Sequence, residues 1–357
     1  MRILLLPISF LYHIVLKIRH KLYDWHILTS HGFKHPIIGV GNLNLGGTGK
    51  TPTVEYLIQL LKDHHRVATL SRGYGRKTKG FQLADLQSTY ETIGDEPLQY
   101  YQKLPDIQVA VDEDRVEGVE KLLKGENAPE VILLDDAFQH RKINAGFNIL
   151  LTEYQHLYCD DYLFPAGTLR DIRSAAKRAD IIVVSKSPKE LGEGEKQQII
   201  SKLKPTEKQK VLFSSMEYQP LKPLNEAAEQ TPVEHADSVL AFCGIAHPKP
   251  FVEELRSIYK TVDFLPFGDH HAYTENDVKT LLRRFESLDG TNKIIVTTEK
   301  DASRLTNSPY LCQFECAPLY DLPVTVRFHE QEEFNKEILN YVRQNPQHCC
   351  VHQQENQ

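Results

Sequence analysis

The pattern of apolar and polar positions divides the first half of the chain into short apolar runs that alternate with helical patterns. Short, continuous apolar runs are typical of strands that are buried on both faces of a parallel sheet. The predicted strands are residues 36–40, 67–70, 109–111, 131–134, 147–151 and 181–184. Apolar residues at helical spacing predict helices near residues 52–62, 96–103 and 114–123. This alternation predicts an α/β fold whose mostly parallel sheet is covered by helices on both faces.

A second, smaller α/β unit is predicted to follow the first. A charged helix at 190–209 and a connection rich in Pro, Glu and Ala lead to strands at 238–242 and 294–298 and helices at 250–259 and 275–287. A strand at 323–328 is expected to return toward the first domain. The predicted segments are an N-terminal membrane-associated helix at 1–30, a large domain at 31–210, a smaller α/β domain with connecting strands at 211–328, a C-terminal helix at 329–343 and a disordered polar tail at 344–357.

The N-terminal helix has the composition of an interfacial anchor. Residues 4–16 are largely apolar, and basic and aromatic residues such as Lys17, Lys21 and Trp25 follow them. A membrane span needs about 20 apolar residues, which this run does not supply, and a signal peptide would have a more basic start and a small-residue cleavage site. The pattern favours a helix on an anionic membrane surface. The alternative is a helix that packs on its own domain.

Composition narrows the classes of function. The formal net charge is −6, which argues against nucleic acid as a main partner. The six cysteines show no regular framework, so we expect reduced thiols in a cytosolic protein. Cys312 and Cys316 leave a zinc half-site open, but no second pair supports it.

A glycine-rich segment between the first predicted strand and the first predicted helix carries the strongest chemical signal. It reads Val-Gly-Asn-Leu-Asn-Leu-Gly-Gly-Thr-Gly-Lys-Thr-Pro over residues 40–52. In a phosphate-binding loop of this kind, backbone N–H groups and the helix N-terminus hold phosphate oxygens, and the lysine neutralises the outer phosphates. The strict motif has a glycine where this chain has Asn44, and a tight turn is the alternative. The predicted nucleotide-binding residues are Gly46, Gly47, Thr48, Gly49, Lys50, Thr51 and Pro52.

Two aspartates complete a predicted magnesium site. Asp135 and Asp136 follow the apolar run 131–134, and a P-loop enzyme holds Mg²⁺ with a carboxylate at the carboxyl end of such a strand. We expect Thr51 to contribute its hydroxyl. The sequence does not determine which of the two aspartates contacts the metal directly, and a polar loop entrance is the alternative.

Several motifs in order resemble the tetraacyldisaccharide 4′-kinase family, which makes lipid A in Gram-negative bacteria. The resemblance covers about residues 38–305, and any single motif would be weak evidence without the ordered set. The motifs are Gly-Asn at 41–42, Gly-Gly-Thr-Gly-Lys-Thr-Pro at 46–52, Leu-Ser-Arg-Gly-Tyr-Gly-Arg at 70–76, Gly-Asp-Glu-Pro at 94–97, Leu-Asp-Asp-Ala-Phe-Gln-His at 134–140, Phe-Pro-Ala-Gly-Thr-Leu-Arg at 164–170, Phe-Cys-Gly-Ile-Ala at 242–246, Asp-His-His at 269–271 and Thr-Thr-Glu-Lys-Asp at 297–301.

The resemblance implies a P-loop kinase domain at 31–210 that transfers the γ-phosphate of ATP, with Mg²⁺, to the 4′-hydroxyl of a tetraacyl glucosamine disaccharide 1-phosphate. It implies a place on the cytoplasmic face of the inner membrane, with the lipid and the membrane surface as partners and no obligate protein partner. Adenine is the expected base, because Lys300 and Asp301 are adjacent and so lack the spacing of a guanine-reading motif.

Asp95 is the candidate general base. Gly94 permits a tight turn and Pro97 suits the first turn of a helix, so Asp95 is expected at a strand-to-helix junction. The alternative is that Asp95 caps this helix. The resemblance implies that Asp95 works with a histidine of the second domain, which matches His270, although the sequence does not exclude His271.

Arginines are the expected partners of substrate phosphates, because a guanidinium pairs bidentately with phosphate oxygens. The predicted substrate-binding residues are Arg72, Arg76, Arg115, Gln139, His140, Arg170 and Asp171. Two other classes of function stay open on the residues alone: a P-loop switch or targeting ATPase that controls a protein partner, and an ATP-dependent ligase that acts on a soluble small molecule.

Overall fold

Strands and helices alternate along residues 2–306 and 308–345, the part of the chain that this computed structural model describes. Up to residue 218 the strands are β1 (His31–Gly32), β2 (Ile37–Asn42), β3 (Val67–Ser71), β4 (Gln82–Leu83), β5 (Gln108–Val111), β6 (Val131–Asp135), β7 (Ile143–Asn144), β8 (Phe147–Glu153), β9 (Ile181–Ser185) and β10 (Lys210–Tyr218). The helices are α1 (Leu6–Asp24), α2 (Lys50–Leu61), α3 (Tyr90–Ile93), α4 (Asp95–Lys103), α5 (Arg115–Lys124) and α6 (Glu193–Leu203).

The remainder of the described chain repeats the alternation. Its strands are β11 (Lys222–Pro223), β12 (Ser238–Cys243), β13 (Val262–Pro266), β14 (Lys293–Thr298), β15 (Leu319–Leu322) and β16 (Val324–Phe328). Its helices are α7 (Glu226–Glu229), α8 (Lys249–Ile258), α9 (Glu275–Glu286), α10 (Glu299–Thr306) and α11 (Gln331–Gln344).

The large sheet has the strand order β16-β10-β9-β8-β2-β6-β3-β5-β4. Neighbouring strands run parallel from β10 to β5, and β16 and β4 add antiparallel edges. The predicted α/β fold with a mostly parallel sheet is therefore confirmed.

Helices cover both faces of this sheet, so its central strands are buried on both sides. Successive side chains of β6 point to opposite faces, so Leu133 joins the core under α2 and α11, whereas Leu134 joins the core under α5. Burying each such leucine contributes roughly 1.5–3 kcal/mol to stability.

The register of the central strands brings the predicted site residues to one edge. In the parallel pair β2 and β6, Val40 lies opposite Asp135, so the loop after β2 and the aspartates that end β6 emerge side by side. The carboxyl edge of a parallel sheet is where α/β enzymes bind their ligands.

The smaller domain has a second sheet of order β11-β15-β14-β12-β13. The predicted domain boundary at residue 210 is wrong, because residues 211–218 belong to β10, which pairs in parallel with β9 of the large sheet. β16 also joins the large sheet through β10, as expected for the strand at 323–328. The smaller domain therefore spans about 219–323. The tail predicted to be disordered lies, from residue 346 onward, outside the described residues.

Helix α1 is attached to the large domain by one of its faces. His20 Nε2 lies 2.6 Å from Oδ1 of the buried Asp171, Ser9 Oγ donates to the Leu163 carbonyl at 2.8 Å, and Leu16 joins the core. Arg19 donates to the Gln139 carbonyl at 2.9 Å. For this face, the alternative prediction of a helix that packs on its own domain is confirmed.

The other faces of α1 are apolar and exposed. Phe10, Leu11 and Val15 are 64%, 63% and 60% exposed, and Ile8 and Ile18 of the helix and Leu4 just before it are also exposed. Among the described residues, no helix combines the length and the hydropathy that a membrane-crossing segment needs. Packing on the domain thus leaves the apolar side chains on the other faces of α1 exposed in the described part of the chain.

Candidate active site

The glycine-rich loop joins β2 to α2 in the strand–loop–helix arrangement that the sequence predicts. Gly49, the N-cap of α2, has a φ of 83°, a left-handed conformation that glycine adopts without strain. Asn42 Nδ2 donates to Thr48 Oγ1 at 2.9 Å, and Ser185 Oγ donates to the Thr48 carbonyl at 2.8 Å. These bonds fix the loop, and Lys50 and Thr51 open the helix behind it.

The departure from the strict motif has a local explanation. Asn44 is not among the residues with positive φ, so its backbone does not require a glycine. Its side chain donates to Asp161 Oδ2 and Thr168 Oγ1, both at 3.2 Å. Asn44 therefore ties the loop to the segment around residues 161–168.

Lys50, Asp136 and Arg170 form a charge cluster beside the loop. Lys50 Nζ lies 3.7 Å from Asp136 Oδ1, and the Arg170 guanidinium donates to both oxygens of Asp136, at 2.7 and 3.0 Å. Arg170 also donates to Asn42 Oδ1. Burial alone would raise the pKa of Asp136, but the hydrogen bonds from Arg170 and the charge of Lys50 lower it to about 2.

Asp135 has the opposite electrostatic environment. It is 1% exposed, and Tyr100 Oη donates to its Oδ2 at 3.0 Å. Burial, together with the negative charge of Glu96, raises the pKa of Asp135 above its ordinary value. Its Oδ1 is buried, with no hydrogen-bond partner in the described part of the chain.

The aspartate pair fits a magnesium ion. No group of three or more His, Cys, Asp or Glu side chains suited to a metal occurs in residues 2–306 and 308–345, so the zinc alternative at Cys312 and Cys316 gains no support. Mg²⁺ is commonly held by one or two carboxylates together with phosphate oxygens and water. The unpartnered Oδ1 of Asp135, adjacent to Asp136, is the kind of donor that such an ion would satisfy.

Of the four arginines predicted to bind substrate, Arg76 and Arg115 have buried, hydrogen-bonded side chains. Arg115 is 2% exposed, donates to the Asp112 carbonyl at 2.7 Å, and has its pKa lowered to about 10 by burial. Arg76 pairs with Glu113 at 2.8 Å and donates to the Gly80 carbonyl, so its predicted contact with substrate has no support in this arrangement. Arg72 is exposed.

Gln139 and His140 lie in the turn after Asp136. Gln139 Nε2 donates to the Asn42 carbonyl at 2.6 Å, which couples the turn to the end of β2. Burial lowers the pKa of His140 to about 4, and its Nε2 is buried without a hydrogen-bond partner in the described chain. His140 is therefore positioned as a neutral group at neutral pH.

The predicted contact of Asp171 with substrate has no support in this arrangement. Asp171 is fully buried, where it contacts His20 and pairs with Arg178 at 3.3 Å. Its neighbour Arg170 contacts Asp136 instead. Asp171 attaches α1 to the domain.

The structure contradicts the interpretation of Asp95 as the cap of its helix. The N-cap of α4 is Gly94, and Asp95 is the first helical residue. The Asp95 carboxylate is directed toward the smaller domain, where His270 Nδ1 lies 2.8 Å from its Oδ2. His271 contacts Asp277 instead, at 3.0 Å, so His270 is the histidine that meets Asp95.

His270 reaches Asp95 from a strained backbone. Its φ is 57°, a left-handed conformation that costs a non-glycine residue about 1–2 kcal/mol. Such conformations persist where the surrounding structure holds them, and they cluster at functional sites.

Sequence reasoning missed Arg304 of α10. Its Nη2 donates to Asp95 Oδ2 at 2.5 Å, and its Nη1 donates to Asp301 Oδ1 at 3.1 Å. Burial would raise the pKa of Asp95, but hydrogen bonds from His270 and Arg304 lower it to about 2. Residue spacing alone could not find Arg304, because it lies 209 residues from its partner and three residues beyond the motif at 297–301.

A phosphate-binding loop on a central parallel strand, an aspartate pair on the adjacent strand and a second domain closing over Asp95 define a P-loop nucleotide-binding enzyme. The family profile described as tetraacyldisaccharide-1-P 4′-kinase (LpxK) matches residues 1–343. The chain belongs to the tetraacyldisaccharide 4′-kinase family.

Individual relatives agree with this assignment. Tetraacyldisaccharide 4′-kinase of Flavobacterium johnsoniae is 45% identical over 97% of this chain and 98% of its own, and that of Bacteroides thetaiotaomicron is 42% identical over 99% and 96%. The crystal structure of an "apo" form of LpxK from Aquifex aeolicus in complex with ATP matches with a TM-score of 0.72 and 30% identity, over 96% of this chain and 99% of that one. The chain is therefore a kinase that uses ATP, and neither the switch ATPase nor the ligase alternative is supported.

The opposite pKa shifts of the two aspartates predict opposite effects of their removal on stability. The raised pKa of Asp135 means that its stabilising contribution is lost as pH rises through the folded-state pKa, so Asp135→Asn should melt a few degrees higher than the native protein at pH 8 in EDTA. The lowered pKa of Asp136 means that its contribution is present above the ordinary carboxyl pKa and lost only as pH falls toward about 2, so Asp136→Asn should melt lower.

Thermal melts of both variants at pH 5 and pH 8 check this prediction. The advantage of Asp135→Asn should shrink at pH 5, and the added stabilisation by Mg²⁺ with ATP should weaken in both variants. A lower melting temperature for Asp135→Asn at pH 8 without metal would contradict it.

Proposed function

We propose that this protein transfers the γ-phosphate of ATP to the 4′-hydroxyl of a tetraacyl disaccharide 1-phosphate. Membership of the kinase family supports the reaction. The observation that carries the proposal in this chain is the meeting of Asp95 and His270 across the two domains, at the domain that bears the phosphate-binding loop. A nucleotide switch requires no base for an acceptor hydroxyl.

The phosphate-binding side of the site is built from cationic groups and backbone amides. Residues 46–52 would hold the phosphates through their N–H groups, and Lys50 would neutralise the outer phosphates. Arg170 is held against Asp136 and adds a second positive charge beside Lys50, which would attract the phosphates. Thr51, Asp135 and Asp136 would hold Mg²⁺, which offsets phosphate charge when it is bound.

Asp95 acts as the acceptor of the hydroxyl proton. Its lowered pKa keeps the carboxylate ionised at neutral pH, so it is always in the form that can accept a proton. His270 contacts Asp95 from the other domain, which makes the competent geometry dependent on the packing of the two domains. Catalysis is thereby restricted to the closed arrangement.

The N-terminal helix would hold the enzyme on the cytoplasmic face of the inner membrane. The exposed apolar side chains of α1 are followed by the exposed Lys17 and Lys21, a combination that suits an anionic lipid surface. A location at the membrane would place the enzyme beside an acylated substrate.

Transfer of labelled phosphate to the lipid tests the function directly. The purified protein with γ-labelled ATP, Mg²⁺ and the tetraacyl disaccharide 1-phosphate should place the label on the sugar. Lys50→Ala should abolish this transfer without unfolding the protein, because Lys50 is a polar residue at the sheet edge and not part of the core. Label found only in inorganic phosphate would point to an ATPase instead.

A double-mutant cycle tests the pair of Asp95 and His270. Asp95→Ala should lower kcat by about 10²- to 10⁴-fold, because a general base contributes that much, while the affinity for ATP changes little. Adding His270→Ala should then cost little more, since residues that act as a unit are non-additive. Fully additive losses in kcat would show that Asp95 and His270 do not act as a unit.

Flotation with vesicles tests the attachment by α1. Phe10→Glu with Leu11→Glu should lower binding to vesicles that contain anionic phospholipid by at least about tenfold, because two exposed apolar side chains become charged. Leu86→Glu is the matched control, since Leu86 is 91% exposed but lies in the loop between β4 and α3. Equal binding of the α1 variant and the control would place the attachment elsewhere.

A further inference from the structure

The buried arginine of α10 connects the candidate base to the interior of the smaller domain. The Arg304 side chain is 2% exposed, and its two terminal nitrogens reach Asp95 in one domain and Asp301 in the other. A charged side chain is costly to bury unless its charge is paired and hydrogen-bonded. Two carboxylates satisfy that condition here.

Asp301 fixes the far end of this connection. It is fully buried, and it accepts hydrogen bonds from Tyr273 Oη at 2.9 Å, Thr298 Oγ1 at 2.6 Å and the Gly244 backbone N–H at 3.1 Å. Its carboxylate therefore has little freedom to rotate. Arg304 is anchored to a rigid part of the smaller domain.

The near end of the connection is asymmetric. Arg304 Nη2 and His270 Nδ1 both contact Oδ2 of Asp95, at 2.5 and 2.8 Å. Within the described residues, no hydrogen bond reaches Oδ1 of Asp95. The carboxylate is thus held by one oxygen, and the other oxygen is available.

We propose that Arg304 is a positioning residue for the kinase reaction, which orients the Asp95 carboxylate by holding Oδ2 and leaves Oδ1 for the acceptor hydroxyl. This inference rests on the proposed function, in which Asp95 accepts the proton of that hydroxyl. Because α10 belongs to the smaller domain, the orientation exists only while α10 packs against α4.

The guanidinium is suited to this task in a way that an ammonium is not. Its planar fork reaches Asp95 and Asp301 at the same time, whereas a lysine offers a compact point charge that would satisfy only one partner well. The pKa of Asp95 is low in part because of this ion pair, so its removal should raise that pKa toward the ordinary value.

The same interface supplies a matched control. Lys103 of α4 pairs with Glu299 of α10 at 2.6 Å, and with Glu55 at 2.7 Å, without contacting Asp95. Loss of Lys103 weakens the packing of α4 on α10 through charge alone. If Arg304 acted only in domain packing, Lys103→Gln would therefore lower kcat in the same way as Arg304→Gln.

Steady-state kinetics on Arg304→Gln, Arg304→Lys and Lys103→Gln test the proposal. Arg304→Gln should lower kcat by about 10²-fold, the typical cost of a misplaced catalytic group, with KM for ATP changed by less than about threefold. Its acidic limb in the pH profile of kcat should move to higher pH. Arg304→Lys should keep more activity, because it retains the charge, and Lys103→Gln should keep the native kcat and profile.

Three outcomes would overturn the proposal. The first is an equal fall of kcat in Lys103→Gln. The second is an Arg304→Gln effect that is as large in an Asp95→Asn background as in the native protein. A fall in melting temperature with normal kcat for the folded fraction would also assign Arg304 to stability alone.

A titration that needs no substrate distinguishes failure of the proposed function from failure of the positioning role of Arg304. In protein with ¹³C-labelled aspartate carboxyls, the Asp95 resonance is identified by its absence in Asp95→Asn. It should titrate at higher pH in Arg304→Gln than in the native protein, even if the native protein transfers no phosphate to the disaccharide. An unchanged titration would overturn the positioning role whatever the substrate is.

Discussion

The parallel pairing of β2 with β6 is the constraint on which the rest of the site depends. Both strands are buried on both faces, so they accommodate only apolar side chains, and polar groups are confined to the positions where the strands end. The register sets Val40 opposite Asp135 and thereby fixes the glycine-rich loop and the aspartate pair at one edge. The contacts of Lys50 and Arg170 with Asp136 follow from this placement.

Ion pairs connect the two domains where α4 packs against α10. Asp95, Glu96 and Lys103 of α4 face Arg304, Lys300 and Glu299 of α10, respectively, in an alternating ladder of ion pairs. Polar interfaces of this kind are typical of domains that move relative to one another.

Local patterns predicted the central strands well, because a strand that is buried on both faces requires a continuous run of apolar residues. The runs at 131–134 and 181–184 became β6 and β9 with only their last residues added. The boundary near residue 210 failed because strand pairing is not local: nothing in residues 211–218 indicates that β9 is their neighbour.

The site was predictable where function depends on contiguous residues and obscure where it depends on distant ones. The loop at 46–52 has a spacing that signals phosphate binding, whereas Asp171 and Arg304 look like ordinary surface charges in the sequence. Both are buried by partners more than 150 residues away, His20 and Asp95. For Asp95, the family resemblance indicated a histidine partner in the second domain, whereas nothing in the sequence indicated the second partner, Arg304.

A continuous path of hydrogen bonds runs from α1 to the phosphate-binding loop. Arg19 donates to the Gln139 carbonyl, Gln139 donates to the Asn42 carbonyl, and Asn42 donates to Thr48. Tyr12 of the same helix donates to the carbonyl of Arg170 at 3.0 Å. If α1 lies in a lipid surface as proposed, this connection would fix the height of the phosphate-binding loop above the bilayer. An acceptor sugar would then reach the phosphate according to its own distance from the headgroup plane, without movement of the loop.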